Sequence, residues 1–450
     1  MPGLPQPKKL GSRYLVIKRN QVISRRGLGI ICLLLFLFLP LLADESGQEF
    51  YFRGRFYLDW YGAAYKDTDF YHQLSSRLKV ELFNKRGQGW NLLLDTRNRT
   101  RLSDEGKNQL ILYDARLTYD RSNSPLYFSV GQMNLYDTAG IGQLLGGVVG
   151  FKPKSGFFLG GYAGLKSSVY ISRTDGDYRK FGVFGRYLGS HGKRFSLSYN
   201  LVRYAGEIER KYIYFRSLFP VNKFLVLYGN MEYEMASNVQ KGDRLSRVFL
   251  NVRFDPIDFI DVTAHYSSGR GLDYHRFLIE ASKNPTLNDS SLEHYYYTQQ
   301  YGIRFSLKPV QGVRLFLSRQ ESEQKDDNIH NHTWRFGFSA LNVFKTGFTV
   351  YGNYASNRGE ISESDSYYIS LAKDFGRVSW SASFSNRFNG IRFIPGENAP
   401  QIIHMDDYKT IASDLFISIS RIVAISLQYE YFMQEKFNQH LFFIRLILRK

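Results

Sequence analysis

The sequence predicts an all-β chain, a transmembrane antiparallel β-barrel of about 22 strands behind an N-terminal signal peptide. Three observations carry this reading. Apolar and polar residues alternate with a period of two from residue 48 to residue 450. Most alternating segments reach the roughly 9–11 residues that a tilted strand needs to cross a bilayer. The breaks between them differ in length, short after every even-numbered segment and often longer after odd-numbered ones, as outer-membrane barrels require.

The N-terminal segment comes first. Residues 1–29 contain Lys8, Lys9, Arg13, Lys18, Arg19, Arg25 and Arg26 and no acid. Residues 30–42 then read Ile-Ile-Cys-Leu-Leu-Leu-Phe-Leu-Phe-Leu-Pro-Leu-Leu, followed by Ala43 and Asp44. A basic stretch, a short apolar core and a small residue before a polar start describe an export signal, residues 1–43. The core falls short of the roughly 20 residues of a spanning helix. Leu41 stands where such a cleavage site prefers a small residue. Ser24-Arg25-Arg26 faintly resembles a twin-arginine signal, but ordinary leader charge explains it, because a barrel travels unfolded. The single cysteine, Cys32, opens the apolar core rather than following it, which argues against a lipoprotein anchor. It leaves residues 48–450 without thiol or disulfide chemistry.

Composition agrees. Aromatic residues make up 16% of the chain, with 33 Tyr and 36 Phe against 12 Pro. Tyr and Phe favour strands and membrane interfaces. The mean hydropathy of -0.32 is too polar for a helical membrane protein and suits strands that alternate between lipid and water. The formal net charge is +18, and the chain stays basic once the leader is removed. In a soluble protein that excess would point to nucleic acid. In an exported barrel it meets anionic headgroups or biases the lumen toward anions. The expected partners are outer-membrane lipid, lipopolysaccharide and the barrel assembly machinery, with no nucleic acid, no cofactor and no metal; a periplasmic export partner stays open.

Strands are expected at 48–61, 71–84, 88–101, 107–120, 124–133, 143–152, 156–164, 178–190, 193–206, 207–219 and 223–236. They continue at 243–255, 258–268, 293–308, 312–323, 331–343, 346–358, 364–374, 377–389, 406–420, 423–434 and 438–449. The pattern is plain in residues 376–388, where Val378, Trp380, Ala382 and Phe384 alternate with Ser379, Ser381, Ser383 and Ser385. Soluble sandwich strands average only about 5–6 residues. Short breaks such as Lys85-Arg86-Gly87, Asp255-Pro256, Pro309-Val310-Gln311 and Phe375-Gly376 fall on one side of the sheet. Longer ones, 62–70, 134–142, 165–177, 269–292 and 390–405, fall on the other. A single misplaced break changes the count by two, so 20 is the nearest alternative.

Signal peptide, alternating strands and turn asymmetry together resemble the bacterial porin-type outer-membrane barrels. The resemblance spans residues 48–450 as pattern and rests on no family motif. One departure is the C-terminus, Phe442-Phe443-Ile444-Arg445-Leu446-Ile447-Leu448-Arg449-Lys450, which lacks the terminal aromatic that the assembly machinery reads. Receptors of the TonB-dependent class share the strand number but carry an N-terminal plug, and only Asp44 to Gly47 precede the first expected strand here. The loops 269–292 and 390–405 are the candidates to fold inward and narrow the lumen.

The candidate lumen or rim bases are Arg77, Lys79, Arg97, Arg99, Arg101, Arg116, Arg247, Arg253, Arg304, Arg314 and Arg335, faced by Glu81, Asp95, Asp114 and Asp120. Charged rings set selectivity, so these residues would favour anions. The plainer alternative is wet-face charge or contact with lipopolysaccharide phosphates. Tyr295-Tyr296-Tyr297 and Tyr367-Tyr368 read as interface girdle residues. Two polar rim clusters, Asp326, Asp327, His330 and His332, then His404, Asp406 and Asp407, would be the machinery of an outer-membrane hydrolase, because carboxylates beside a His activate water. Solvated loops explain them more simply, and the motifs G-x-S-x-G and H-E-x-x-H are absent. The leading expectation is a non-enzymatic channel, passive or partner-gated, for small or anionic solutes. The alternative is a non-porous structural barrel or an export-complex component.

Overall fold

The computed structural model describes residues 50–450 apart from 66–69, 85–88, 103–107, 122, 141, 154–155, 168–177, 205, 237–243, 271–296, 325–328, 344, 361, 394–400 and 435–437. The expected export signal, residues 1–43, lies outside the described residues. The strands are β1 (Phe50–Tyr65), β2 (Tyr71–Asn84), β3 (Gly89–Arg101), β4 (Asn108–Asp120), β5 (Leu126–Asn134), β6 (Gln143–Phe151), β7 (Phe157–Lys166) and β8 (Tyr178–Leu188). Next come β9 (Arg194–Tyr204), β10 (Glu207–Pro220), β11 (Leu225–Met235), β12 (Arg244–Ile257), β13 (Ile260–Arg270), β14 (Tyr297–Leu307) and β15 (Val313–Gln324). The last are β16 (Ile329–Val343), β17 (Phe348–Gly359), β18 (Ser362–Asp374), β19 (Val378–Phe393), β20 (Gln401–Ser418), β21 (Val423–Met433) and β22 (Asn438–Arg449).

All 22 form one antiparallel sheet in which sequence neighbours pair and β22 pairs with β1. Closure leaves no edge, so every strand's backbone polar groups find partners without water. At the seam, the Gly54 N–H donates to the Lys450 carbonyl and the Lys450 N–H donates to the Gly54 carbonyl, each at 3.0 Å. At a spacing of about 4.8 Å and a tilt of about 40°, 22 strands enclose a barrel roughly 45 Å across between backbones. Wall side chains alone do not fill such a width.

Every even-numbered connection is short, for example 221–224, 258–259, 375–377 and 419–422, whereas the odd-numbered ones range from 205–206 and 360–361 to 271–296. Two expected breaks move. β12 runs through Asp255-Pro256 to Ile257, because the register shifts between Phe254 and Ile257 and the irregularity accommodates a residue with no N–H. The expected loop 390–405 is largely strand: β19 continues to Phe393 and β20 begins at Gln401, and these two residues pair. Of loop 269–292, Gly269 and Arg270 complete β13 and the remainder lies outside the described residues.

Among the described residues, 135–140 turn inward. They form a single helical turn, α1 (Tyr136–Ala139), which ends on Gly140 at φ 71°. Asn134 Oδ1 accepts from the Tyr136 N–H at 2.9 Å and starts the turn. Although it joins β5 to β6, the segment reaches β10, where Tyr136 and Tyr214 stand ring to ring at 6.2 Å. Only a path across the barrel interior makes that contact. One helical turn is too short to show a period of 3.6, which is why the sequence pattern hides it.

Beneath this segment the barrel holds a small hydrophobic core. Met133, Leu135, Leu144, Val148, Phe158, Tyr162, Phe184, Tyr212 and Tyr214 are buried together on the inner face of β5–β10. A row of glycines lets the wall come this close. Gly131 pairs with Gly146, and Gly146 with Gly164, so three adjacent strands lack a Cβ at one level. A Cβ at Gly146 would overlap the Ala163 carbonyl, and one at Gly164 the Leu145 carbonyl.

Candidate functional site

The two faces of the sheet differ in chemistry. Leu58, Leu74, Leu92, Leu117, Val130, Val149, Val183, Leu250, Ile303, Phe336, Ile369 and Ile444 are exposed on one face. The opposite face carries Asp59, Ser75, Arg77, Arg97 and the polar residues in register with them. Among the described residues, the ion pairs that skip a strand lie on this polar side: Arg97 of β3 reaches Asp59 of β1 at 3.2 Å, and Arg314 of β15 reaches Asp261 of β13 at 2.8 Å. A concave surface allows such contacts, so the polar face lines the lumen.

All eleven candidate bases fall on that face by their register. Arg77 makes a two-armed bond to Asp95, at 2.8 and 2.7 Å, and lies 4.7 Å from the Tyr113 ring. Lys79 pairs with Glu81 at 2.9 Å, Arg116 with Asp114 at 3.4 Å and Arg253 with Asp255 at 2.9 Å. Arg101 stands over Tyr71 at 5.8 Å, and Arg304 over Phe316 at 4.0 Å. The Nε atoms of Arg99 and Arg304 are buried without a hydrogen-bond partner. Arg247, Arg304 and Arg335 form no ion pair among the described residues. Arg97, Arg99 and Arg101 share the lumen face, with Arg101 the exposed last residue of β3.

The acids are mostly committed. Asp59 is the hub of the seam. It accepts from Arg445 Nε at 2.7 Å, Arg97 Nη2 at 3.2 Å and Ser75 Oγ at 3.3 Å. Asp120 pairs with Lys152, and Glu232 and Glu234 both pair with Arg210. Asp261 also meets Lys308 at 3.5 Å. Asp374, Asp414 and Glu430, on β18, β20 and β21, are lumen-face acids with no ion pair among the described residues.

Pattern reading missed a basic cavity. Arg186, Arg194, Arg216, Ser196 and Tyr228 line a pocket of about 230 Å³, whose lining among the described residues holds no carboxylate. It lies at the end of β8 and β9 nearest the short connections. Arg186 packs over Phe158 at 5.2 Å and Arg216 over Tyr228 at 5.5 Å, and the Arg186 Nε is buried without a hydrogen-bond partner. A clue was available, since Arg186 and Ser196 share a face by their spacing from Phe184 and Ser198.

Of the two rim clusters, the described side chains are His330, His332 and Asp407. His330 and His332 are exposed on the outward face of β16, opposite Glu323 and Glu321. Asp407 is exposed on β20. Asp326 and Asp327 lie outside the described residues, as do the side chains of His404 and Asp406. No group of three His, Cys, Asp or Glu able to hold a metal occurs among the described residues.

The outer surface supplies the deciding observation. Trp90, Tyr119 and Phe128 cluster at 5.1–5.4 Å at the short-turn end, where Lys193, Lys223 and Lys373 stand over Phe219, Phe224 and Phe348. Trp60 with Phe70, and Tyr354 with Tyr367, mark the other end at 6.1 and 4.9 Å. On β19, Trp380 and Phe388 stand about 27 Å apart along the strand, or about 21 Å along the barrel axis at a tilt of about 40°, close to a hydrocarbon band roughly 25 Å tall; Ala382, Phe384 and one polar residue, Asn386, share the outward face between them. The chain is a closed 22-stranded β-barrel with a lipid-facing belt. In this barrel Tyr367 belongs to the girdle, whereas Tyr368 turns to the lumen and lies 5.8 Å from Tyr351. Neighbouring residues of a strand face opposite ways, so the expected Tyr367-Tyr368 girdle pair splits. Tyr295 and Tyr296 lie outside the described residues.

No family model matches the sequence and no curated protein matches it. Among solved structures the barrel is similar to the translocation pore of the P pilus usher PapC, with 11% identity over 88% of this chain and 99% of that one, at a TM-score of 0.47. It is similar to OccAB3 of Acinetobacter baumannii, with 10% identity over 89% and 100% of the two chains, at a TM-score of 0.43. OccK11 (OpdR) of Pseudomonas aeruginosa gives 10% identity over 88% and 95%, at a TM-score of 0.39.

Proposed function

We propose that this protein is an outer-membrane channel for small anionic solutes. One observation carries the reading: lumen acids are largely neutralised in place, while Arg99, Arg247, Arg304 and Arg335 face the lumen with no carboxylate partner among the described residues. Fixed cations along a pore lower the barrier for anions and raise it for cations. Segment 135–140 and the core beneath it narrow the open section from one side, so the charged wall is the path left to solute. The cavity at Arg186, Arg194 and Arg216 provides a docking point for a phosphate or carboxylate near the periplasmic mouth, because guanidinium forks match both groups.

Single-channel recording in planar bilayers tests this. A salt gradient is expected to give a reversal potential of anion-selective sign, and Arg304→Glu with Arg335→Glu is expected to shift it toward cations. A cation-selective parent would overturn the anion reading. An inserted barrel that stays silent at every voltage would overturn the channel itself.

A further inference from the structure

The outward face of β6–β9 is shaped differently from the rest of the lipid-facing belt. Gly147, Gly161 and Ala163 sit where other strands carry leucine or phenylalanine. Together with Val149, Phe181, Val183, Tyr199 and Leu201 they form an apolar groove of about 810 Å³. The glycines facing the lumen are forced by packing, but these outward ones are not. A Cβ at Gly147 comes no closer than 3.8 Å to any atom, and one at Gly161 no closer than 3.4 Å. Their missing side chains therefore serve the groove and not the wall.

The groove ends in charge. Two residues further toward the outer side on the same strands, Arg179 pairs directly with Arg203 in the register that pairs Phe181 with Leu201. Both arginines are exposed, and neither meets a carboxylate among the described residues. Like charges directly opposed on neighbouring strands destabilise a sheet, and a bound anion relieves that cost. Lys211 adds a third cation on the outward face of β10, opposite Leu201.

We infer that this groove binds one molecule of a phosphorylated, acylated lipid of the outer leaflet, with its acyl chains along Gly147 and Gly161 and its phosphate between Arg179 and Arg203. The inference rests on the outer-membrane barrel reading and is independent of what the lumen conducts. The occupant needs both parts: a free phosphate leaves the groove empty, and a neutral lipid leaves the arginine pair opposed.

Native mass spectrometry of the purified full-length barrel, titrated with bis-phosphorylated lipid A, dephosphorylated lipid A and a zwitterionic phospholipid, tests it. The parent is expected to retain bis-phosphorylated lipid A in preference to the other two. Arg179→Ser with Arg203→Ser should weaken that retention about tenfold or more, as losing charge-assisted bonds implies. Gly147→Leu with Gly161→Leu should weaken retention of lipid A with or without phosphate. Equal retention of the phosphorylated and dephosphorylated forms, or full retention in both variants, would overturn the proposal. A dimer that Gly147→Leu with Gly161→Leu dissolves would also overturn it and assign the groove to a second copy. Gel mobility before and after heating, read on every variant, reports separately whether the barrel is folded, so failure of the barrel reading is not mistaken for failure of the lipid site.

Discussion

Asp59→Ala is the substitution from which the seam predicts the largest effect. Asp59 lies on β1, receives Arg445 from β22 and Arg97 from β3, and takes a hydroxyl from Ser75 on β2. Its side chain is 5% exposed, against 37% for Arg445 and 21% for Arg97. Removing one partner of a buried ion pair costs about 3–5 kcal/mol. The guanidiniums left behind face an aqueous lumen and rehydrate in part, which places the expected loss near about 3 kcal/mol, the low end of that range. Asp59→Asn keeps the volume and one acceptor, so its loss should be smaller. The assay is urea unfolding of the barrel refolded into lipid vesicles, followed by tryptophan fluorescence. A double-mutant cycle with Arg445→Ala should return a coupling of about 1–2 kcal/mol. If Asp59→Ala unfolds within about 0.5 kcal/mol of the parent, the seam does not depend on this cluster and the reasoning fails.

Gly146→Val should prevent folding, because its side chain meets the Ala163 carbonyl, whereas Gly147→Val on the other face should fold; the heat-shifted fraction on gels separates them. Replacing residues 136–140 by two glycines should raise single-channel conductance and lower the melting temperature, since it opens the lumen and uncovers Met133 and Leu144; unchanged conductance would show that the segment does not narrow the path. Arg210→Met should destabilise the barrel by about 3–5 kcal/mol in the same urea assay, because Glu232 and Glu234 lose their common partner.

Much of the barrel could be read from the sequence because its rule is local. Val378 to Ser385 show the two-residue period without reference to any other strand, and summing such segments gave the strand number that closes the sheet. The lumen bases were legible for the same reason, since a register of two assigns each arginine a face. What escaped depends on partners far apart in the chain. Nothing near Asp59 announces Arg445, which meets it across 386 positions. Residues 135–142 resemble any outer loop until Tyr214 is placed beneath them. Gly147 and Gly146 look alike in sequence, yet one leaves a groove and the other avoids a collision. Pro256 misled in the opposite sense, because a strong local turn signal gave way to the register of β12 with β13.

The meeting of β1 with β22 also bears on how this barrel comes to exist. Contacts between neighbouring strands can form as soon as two hairpin arms are made, but the seam joins positions separated by nearly the whole chain. Long-range pairing of this kind is slow, since closing so large a loop costs entropy before any bond rewards it. Until Lys450 finds Gly54, the sheet has two bare margins, each able to capture another strand. The pair of Asp59 with Arg445 is then a late-acting latch. Asp59 already meets Ser75 and Arg97 within β1–β3, but Arg445 adds nothing to the early hairpins and slows reopening once the ring is complete, so Arg445→Ala should show chiefly as a faster unfolding rate.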